Sequence, residues 1–439
     1  MSSIPPYSRR RVLGLLGGGA AAAALTACGG SPTPSGSSTP AGGASPSASA
    51  SGGSPSPTPS GTPSFAAPQV DGPTLTVWAD SVRIPGLSKA SAAFTEKYKV
   101  NVKFQPFAFS DLFTLVQQAG PSGNGPDLWD CNFDWTGALI AAGLLAPVEL
   151  GDKAASFDKR AITGYTQDGV LYALPQTLES TNIYRNTDLI PDPIETWDDF
   201  TKVAAGLAAK GVRYPFLHVP NAYVFNAIQT GFGGYLYKPP AADGTLDTSD
   251  VGIDNQGSID ALTYYQMLAQ KKYQRPGVDT NVVAKVFAKE GGILLSGPWD
   301  IPTLQGAKAK FSLDITPAGP AGPAVPYLSA RGLMVNKVGS QVALAQTYLS
   351  EYFAAAEPMR TLAESLSLES AWMEVKEEVA TPLVKAQIAA GKNAQPIPSD
   401  GRFNDYYQPM TDAMTSIVAG QTTPAKALKT VKAKFDSAK

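Results

Sequence analysis

The chain has 439 residues, and 35 lysines and arginines against 37 aspartates and glutamates give it a formal net charge of -2. This balance of mixed signs argues against nucleic acid as the main partner. One histidine and two cysteines are too few for a zinc cluster, and we expect neither a metal nor a cofactor. The length allows two or three domains.

The first 27 residues have the order of elements of a signal peptide. A basic stretch with a twin arginine at Arg9 and Arg10 precedes an apolar run that ends near Leu25. The run is too short to span a bilayer as a permanent helix. It ends in LTAC, which resembles the lipobox of bacterial lipoproteins, so Cys28 is predicted to carry the lipid anchor. The alternative is a plain signal peptide in which Cys28 has no role.

Residues 28–73 have the composition of a tether. Ser, Pro, Gly, Thr and Ala dominate, and no charged residue stands between Arg11 and Asp71. Such a segment cannot bury a core, so we predict a disordered, semi-stiff spacer that holds a folded body away from a membrane. Beyond Cys28 the only cysteine is Cys131, which leaves no intramolecular disulfide and is predicted to be a small buried hydrophobe. The remaining body of about 365 residues suggests two lobes.

The body begins with a β-α-β-α-β pattern, which predicts a mostly parallel sheet covered by helices, with sites at the carboxyl ends of its strands. Ser110 is the predicted N-cap of the second helix. The predicted elements are a strand at Thr74–Ala79, a helix at Ser88–Tyr98, a strand at Val100–Phe104, a helix at Ser110–Ala119 and a strand at Asp127–Cys131.

The middle of the chain changes pattern. Residues 165–172 have a hairpin signature, and an extended segment through Thr181–Tyr184 is predicted to cross between two lobes. Thr196 should cap a helix at Trp197–Lys210. A Gly/Pro-rich loop between predicted strands at Phe311–Ile315 and Gly332–Asn336 indicates a second crossing. Further helices are predicted at Ala222–Thr230, Gln256–Gln270, Asn281–Ala288 and over most of the chain from Gln341.

The segment GGILLSGPWDIP, residues 291–302, combines a predicted buried strand with an abrupt break. Ile293 to Leu295 form the apolar part, and Gly297 and Pro298 stop the strand. Trp299 follows where the chain leaves the sheet, so it could form the wall of a ligand site or one more core aromatic. Asp300 is predicted to cap the helical turn that follows.

An ordered series of motifs resembles the extracellular solute-binding lipoproteins of ABC importers, and within them the maltose/maltodextrin-binding proteins. The resemblance implies an α/β, periplasmic-binding-protein-like fold whose two lobes are joined by crossing hinge segments around a ligand cleft. The first lobe is expected at 74–178 and about 330–375, and the second at 179–329 and about 376–439. The motifs are GPDLWD (125–130), AAGLLAPV (141–148), GVLYALP (169–175), IYRNTDLIPDPIETWDDF (183–200), GFGGYLY (231–237), DVGIDNQGSIDAL (250–262) and GGILLSGPWDI (291–301).

The same resemblance implies a set of ligand-binding residues. Trp299 falls on a sugar-stacking position, and Tyr223 and Tyr407 fall on aromatic positions. Asn221 and Trp135 depart from a glutamate and an arginine of the family, which puts the particular sugar in doubt. The charged positions are Asp134, Glu179 and Arg83.

The chemistry of these residues suits a sugar independently. A sugar has an apolar face that stacks on flat aromatic rings and a rim of hydroxyls that charged side chains can bind. We therefore predict a lipid-anchored, extracellular, monomeric protein that captures a di- or oligosaccharide and delivers it to the permease subunits of an ABC transporter.

Two other function classes remain open at this point. A secreted glycoside hydrolase would need two carboxylates that flank the bond to be cleaved, and Asp134, Glu179 and Asp300 are the candidates. No motif pairs them as acid and nucleophile. A structural surface protein or adhesin is supported only by the long tether.

Overall fold

The computed structural model of the protein describes residues 69–123, 125–238, 247–275, 278 and 282–438, and all of them belong to one compact unit. The predicted signal peptide, Cys28 and the tether up to residue 68 lie outside the described residues. The strands are β1 (Thr74–Asp80), β2 (Asn101–Phe107), β3 (Leu128–Cys131), β4 (Leu145–Ala146), β5 (Thr166–Gln167), β6 (Val170–Leu171), β7 (Ala173–Ser180), β8 (Asn182–Asn186), β9 (Tyr214–Leu217), β10 (Tyr237–Lys238), β11 (Asp247–Val251), β12 (Gly291–Ser296), β13 (Phe311–Asp314), β14 (Tyr327–Asn336) and β15 (Gln395–Pro396).

The helices flank the sheets and fill the C-terminal part of the chain. They are α1 (Ile84–Tyr98), α2 (Phe109–Ala119), α3 (Thr136–Ala141), α4 (Lys159–Gly164), α5 (Trp197–Ala209), α6 (Ala222–Gly231), α7 (Gln256–Gln270), α8 (Val283–Glu290), α9 (Ile301–Gly306), α10 (Val342–Gln346), α11 (Ala356–Leu366), α12 (Met373–Glu378), α13 (Pro382–Ala390), α14 (Phe403–Val418) and α15 (Pro424–Ser437). Among the residues described, none of these helices has the length and apolar character needed to cross a membrane.

A seven-stranded sheet, the larger sheet, has the order β15-β14-β3-β1-β2, and β4 and β7 also pair with β14. Strand β1 runs parallel to β2 and to β3, which confirms the predicted β-α-β-α-β start. Strand β14 runs antiparallel to β3 and to β7. Every residue of β7 and β14 is buried, so a charged side chain in either strand needs a partner inside the protein.

A four-stranded sheet, the smaller sheet, has the order β13-β8-β12-β9. Strand β12 lies inside it, antiparallel to β8 and parallel to β9, and all six of its residues are buried. This confirms the predicted buried strand in the segment 291–302. Helices α14 and α15 pack on α7, which places the C-terminal helices beside the elements that follow β9.

The chain passes between the two sheets at two places and leaves the larger sheet once more towards α14 and α15. Strand β7 of the larger sheet is separated from β8 of the smaller sheet by Thr181 alone, and Thr181 is fully buried. Residues 315–326 lead back from β13 to β14, and the chain leaves the larger sheet again after β15. Both sheets with helices around them form the α/β architecture that the sequence predicts.

Local sequence signals explain several element ends. Thr196 caps α5, because its side chain accepts a hydrogen bond from the backbone of Asp199 at 3.1 Å. The hairpin β5–β6 turns through Asp168 and Gly169, both with positive φ, as its sequence predicts. The predicted cap at Ser110 is wrong: α2 starts after Ala108, an extended residue without a side-chain bond, and the Ser110 hydroxyl contacts Asp111 instead.

The single histidine, His218, and the cysteine of the described residues, Cys131, both lie in the core. Cys131 is fully buried, and burial raises the pKa of its thiol, so it is an inert packing residue as predicted. His218 is buried too, stacks on Phe216 and lies 2.8 Å from the side chain of Gln274. Neither side chain is available to a ligand or to solvent.

Candidate functional site

An ion network in the larger sheet joins the ends of β3 and β7 and the loop after β1 to the middle of β14. Asp130 on β3 accepts hydrogen bonds from Nε of Arg331 at 3.0 Å and from its Nη2. Nε of Arg83 lies 3.6 Å from the same carboxylate, and Nη1 of Arg83 lies 3.5 Å from Oε1 of Glu179. All four side chains are at least 95% buried. Each buried charge therefore has an opposite charge beside it.

Glu179 is the penultimate residue of β7. It lies two positions before Thr181, where the chain crosses to the smaller sheet. Burial raises the pKa of its carboxyl, and the nearby charges of Arg331 and Arg83 only partly oppose that effect. Arg83 is held in place by donating to Oγ1 of Thr177 and to Oε1 of Gln176, both at 3.0 Å. The network thus ties β7 to the loop after β1.

A small cavity brings three of the predicted binding residues together. Arg83 and Glu179 come from the larger sheet, and Trp299 comes from the turn after β12 of the smaller sheet. The cavity holds about 20 Å³, which is room for about one water molecule. The two sides of the cleft therefore meet almost face to face, and an organic ligand would fit between them only after they separate. The remaining lining residues are Asp80, Val82, Pro298, Pro302, Arg331, Leu366 and Leu368.

The indole of Trp299 lies over the backbone of Gly297. A Cβ atom at Gly297 would stand 2.1 Å from Cζ3 of Trp299, so any larger residue would displace the ring. The carbonyl of Gly297 is fixed in turn by the hydroxyl of Tyr184, which donates to it at 2.8 Å. The glycine that ends the strand is thus what gives the tryptophan its orientation.

The predicted capping role of Asp300 is wrong. Its side chain makes no bond to the backbone of α9. One carboxylate oxygen instead accepts a hydrogen bond from the hydroxyl of Ser296 at 2.7 Å. The side chain is buried, and burial raises the pKa of Asp300 to about 6. Asp300 therefore turns back to the end of β12 rather than forward to the helix.

Asp134 and two tyrosines form a second group in the cleft. Asp134 follows β3 in a short helical turn, and its Oδ1 is buried without a hydrogen-bond partner in the described part of the chain. Burial raises the pKa of Asp134 to about 7. Burial raises the pKa of Tyr223 and that of Tyr407, the latter to about 12, and the charge of Asp134 adds to both shifts. The carboxylate of Asp134 is therefore an electrostatic neighbour of both tyrosine hydroxyls.

Tyr223 connects this group to the cavity. Its ring makes an edge contact with Trp299 at a centroid distance of 5.9 Å. Its hydroxyl is within hydrogen-bond distance of the carbonyls of Glu179, at 3.1 Å, and Tyr327, at 3.2 Å. Those carbonyls belong to the ends of β7 and β14, where the chain passes between the sheets. The tyrosine thus contacts both crossings and the tryptophan at once.

Two of the predicted residues have evident local roles. Asn221 is the N-cap of α6, since its side chain accepts a hydrogen bond from the backbone of Val224 at 2.8 Å. Trp135 is 6% exposed and stacks on Phe109, with ring centroids 4.9 Å apart and planes 16° from parallel. Neither residue lines the cavity around Trp299.

Sequence reasoning missed Arg331 and Asp130. Both stand in strands that are otherwise apolar, and a charged residue in a buried strand is expected to have a charged partner. That signal was available for DLWDC and YLSARGLMVN. The identity of the partner was not, because 201 positions separate the two residues along the chain.

Comparisons with known proteins agree with this architecture. The profile of the family described as bacterial extracellular solute-binding protein matches residues 89–392. A galactooligosaccharide-binding protein of Bacillus subtilis (strain 168) is 25% identical over 373 residues, which are 81% of this chain and 87% of the relative.

Two further relatives carry related names. The maltodextrin-binding protein MdxE of the same organism is 25% identical over 64% of this chain and 69% of its own. A maltooligosaccharide ABC transporter solute-binding lipoprotein of Streptococcus pneumoniae (strain ATCC BAA-255 / R6) is 22% identical over 79% of this chain and 84% of its own. Since the family profile spans well over half of the residues, the chain belongs to the bacterial extracellular solute-binding proteins.

Proposed function

We propose that this protein binds a di- or oligosaccharide in the cleft between its two sheets and delivers it to an ABC transporter. The observation that carries the proposal is the cavity where Trp299 of one sheet faces Arg83 and Glu179 of the other. An aromatic plane opposite charged hydrogen-bonding groups matches the two kinds of surface that a sugar presents. The oligosaccharide-binding names of three relatives support the same ligand class.

The ligand-binding residues of this proposal come from both sides of the cleft. Trp299 and Tyr223 supply aromatic faces, and Asp134, whose Oδ1 has no partner in the described residues, supplies an acceptor for sugar hydroxyls. A maltodextrin-like ligand is the finer proposal. The other members of the proposed site are Arg83, Glu179, Tyr407 and Asn221, with Trp135 as a supporting residue.

Closure of the cleft is a population shift in this proposal. A sugar that contacts both sides makes its full set of contacts only when the sides are together, so binding favours the closed arrangement. The hinges are the crossings at Thr181 and at residues 315–326 and the segment after β15. The first lobe then comprises about 74–178 and 330–375, and β15, which pairs with β14, extends it. The second lobe comprises 179–329 and the C-terminal helices.

The proposed protein is a monomer held at the outer face of the membrane by a lipid on Cys28. The lipobox-like sequence before Cys28 supports the anchor, as does the word lipoprotein in the name of the Streptococcus relative. Replacing Cys28 by Ala should release the protein from cells into the medium. A Cys28→Ala protein that still sediments with membranes would contradict the anchor.

Thermal-shift screening tests the ligand class. Maltose, maltotriose, trehalose, cellobiose and a galactooligosaccharide are each added to the purified protein, and the melting temperature is measured. A ligand that binds only the native state raises the melting temperature, so we expect at least one of these sugars to do so. Calorimetry should then show heat for the same sugar. No shift and no heat from any of them would contradict sugar binding.

The proposal also assigns no catalysis to the cleft carboxylates. After the protein is incubated with maltotriose, the amount of reducing ends should stay constant, because binding and release leave the glycosidic bond intact. An increase that Glu179→Gln abolishes would instead indicate a hydrolase.

A further inference from the structure

Resting on the proposed function, we infer that Arg331 is a further ligand-contacting residue of the cleft and that Trp135 is its positioning residue, acting through Phe109. The guanidinium of Arg331 would donate a hydrogen bond to an uncharged oxygen of the saccharide. This assigns Trp135 a role behind the site rather than in direct contact with the sugar.

The first argument is the position of Arg331. Its side chain is 95% buried and lines the same cavity as Trp299. Nε and Nη2 both donate to the carboxylate of Asp130. Nη1 donates to none of the described residues and is not fully enclosed by protein. A buried guanidinium with one unused nitrogen at the cavity is a donor that a ligand oxygen can satisfy.

The second argument is the support of the guanidinium by aromatic rings. Cζ of Arg331 lies 3.5 Å from the ring centroid of Phe109, directly over its face. Trp135 stacks nearly parallel on Phe109 at 4.9 Å. The indole and the guanidinium cannot both lie on the same face of the Phe109 ring at these distances. They therefore lie on its opposite faces. Phe113 packs against the indole at 5.4 Å. The indole therefore fixes the plane on which Arg331 rests.

The third argument concerns the charge of the ligand. Arg331 and Arg83 face the carboxylates of Asp130, Glu179 and Asp80, and Nη2 of Arg331 lies 3.8 Å from Asp80. The carboxylates outnumber the guanidiniums, so the positive charge of Arg331 is already compensated. A ligand carboxylate or phosphate would add a further negative charge. Arg331 is thus suited to a neutral saccharide, and the site should discriminate against uronates.

Replacing Arg331 by Lys tests the contact itself. Lysine keeps the charge but loses the planar fork and the stacking on Phe109. We expect Arg331→Lys to weaken binding of the best neutral saccharide about tenfold or more in calorimetry, because a hydrogen bond from a charged group is lost. Affinity within twofold of the wild type would overturn the assignment.

The matched control is Arg213→Lys. Arg213 also lies over an aromatic ring, that of Tyr214 at 5.2 Å, and also pairs with a carboxylate, that of Glu290 at 3.0 Å. It is exposed on the surface and does not line the cavity. We expect unchanged affinity for this variant.

Variants of Trp135 test the positioning role. Trp135→Leu removes the aromatic plane behind Phe109 and should weaken the same ligand several-fold, whereas Trp135→Phe keeps a plane and should restore most of the affinity. The double variant Trp135→Leu/Arg331→Lys should bind no more weakly than Arg331→Lys, because Trp135 acts through Arg331. Additive losses would overturn the positioning role, and these variants also keep it testable if Arg331→Lys does not fold.

A charge series completes the experiment. The best neutral oligosaccharide is compared with an otherwise equal one that carries a glucuronate unit, and we expect the uronate to bind at least tenfold more weakly to the wild type. Equal or tighter binding of the uronate would overturn the inference while leaving saccharide binding intact. A wild type that binds no saccharide would instead overturn the proposed function, and the inference with it.

Discussion

The two polar regions of the cleft differ in whether a buried carboxylate has a positively charged partner. In the ion network, Asp130 and Glu179 lie beside Arg83 and Arg331. In the second group, Asp134 interacts with Tyr223 and Tyr407, and burial is the main influence on its pKa. The first arrangement is internally compensated and holds the protein together. The second leaves Oδ1 of Asp134 buried without a hydrogen-bond donor among the described residues.

The largest effect should come from breaking the compensated region. Asp130→Asn leaves the guanidiniums of Arg331 and Arg83 buried beside a neutral amide. Removing one partner of a buried ion pair typically costs about 3 to 5 kcal/mol. We expect a loss of that order in the free energy of unfolding, measured by urea denaturation monitored by circular dichroism.

The control for this prediction is an exposed ion pair. Asp199→Asn removes the contact with Lys202 but keeps a side-chain oxygen beside Thr196, and surface pairs contribute only about 0 to 1 kcal/mol. If Asp130→Asn were no more destabilising than Asp199→Asn, the two regions of the cleft would not differ as described.

The pH dependence of stability should reveal the uncompensated region. The pKa of Asp134, about 7, lies above its ordinary value of 3.8, so the native state keeps a proton that the unfolded chain has already lost. The free energy of unfolding therefore falls as the pH rises from about 4 to about 7. Asp134→Asn lacks this loss and should be more stable than the wild type at pH 8 by on the order of 4 kcal/mol.

Urea titrations of both proteins at pH 4, 6 and 8 measure this difference. The two proteins should differ least at pH 4, because Asp134 is protonated there in the native state and is still partly protonated in the unfolded chain. A constant difference at all three values would mean that Asp134 does not titrate as its burial requires. Asp300 and Glu179 are present in both proteins, so their contributions cancel.

Substitutions that remove or displace the indole of Trp299, which both regions share, should affect ligand binding rather than stability. Trp299→Ala removes the stacking surface and should weaken the best saccharide by about 1 to 3 kcal/mol, by analogy with bases that stack on aromatic side chains. Gly297→Ala keeps the indole but forces it from its place. Calorimetry should show a loss for both variants, and normal binding by both would place the site elsewhere.

The smallest effect should come from the start of α6, which carries Tyr223. Asn221→Ala removes the N-cap and should cost about 1 kcal/mol of stability, whereas Asn221→Asp keeps a capping oxygen and should be nearly neutral. Thermal unfolding measures both. Loss of saccharide affinity in Asn221→Asp without loss of stability would show that the amide also contacts the ligand.

The sequence predicted the fold well where the determinants are local. The cap at Thr196, the turn through Asp168 and Gly169, and the buried strand before Gly297 each depend on a few adjacent residues, and all three are present. Asp300 shows the limit of this reasoning. A carboxylate before a helix usually caps it. Here the carboxylate instead accepts a hydrogen bond from the hydroxyl of Ser296, four residues earlier.

The predicted site is brought together only in part, for a different reason. Trp299 and Glu179 meet at one cavity, as expected for ends of strands in two facing sheets. Arg331 could not be placed there, since its position depends on pairing between β14 and β3. Trp135 lies next to Asp134 in the chain, but the turn directs the two side chains into different surroundings.

The order of the strands has a consequence for synthesis. The strands of the smaller sheet all lie between β7 and β14 in the chain, whereas β14 joins β3, β4, β7 and β15 in the larger sheet. A chain made from its N-terminus therefore contains every strand of the smaller sheet before the larger sheet receives the strand at its centre. Until Tyr327 and the residues after it emerge, β3 and β7 keep unpaired edges. The larger sheet, whose strands β1 to β3 are synthesised first, is thus completed after every strand of the smaller sheet has been made.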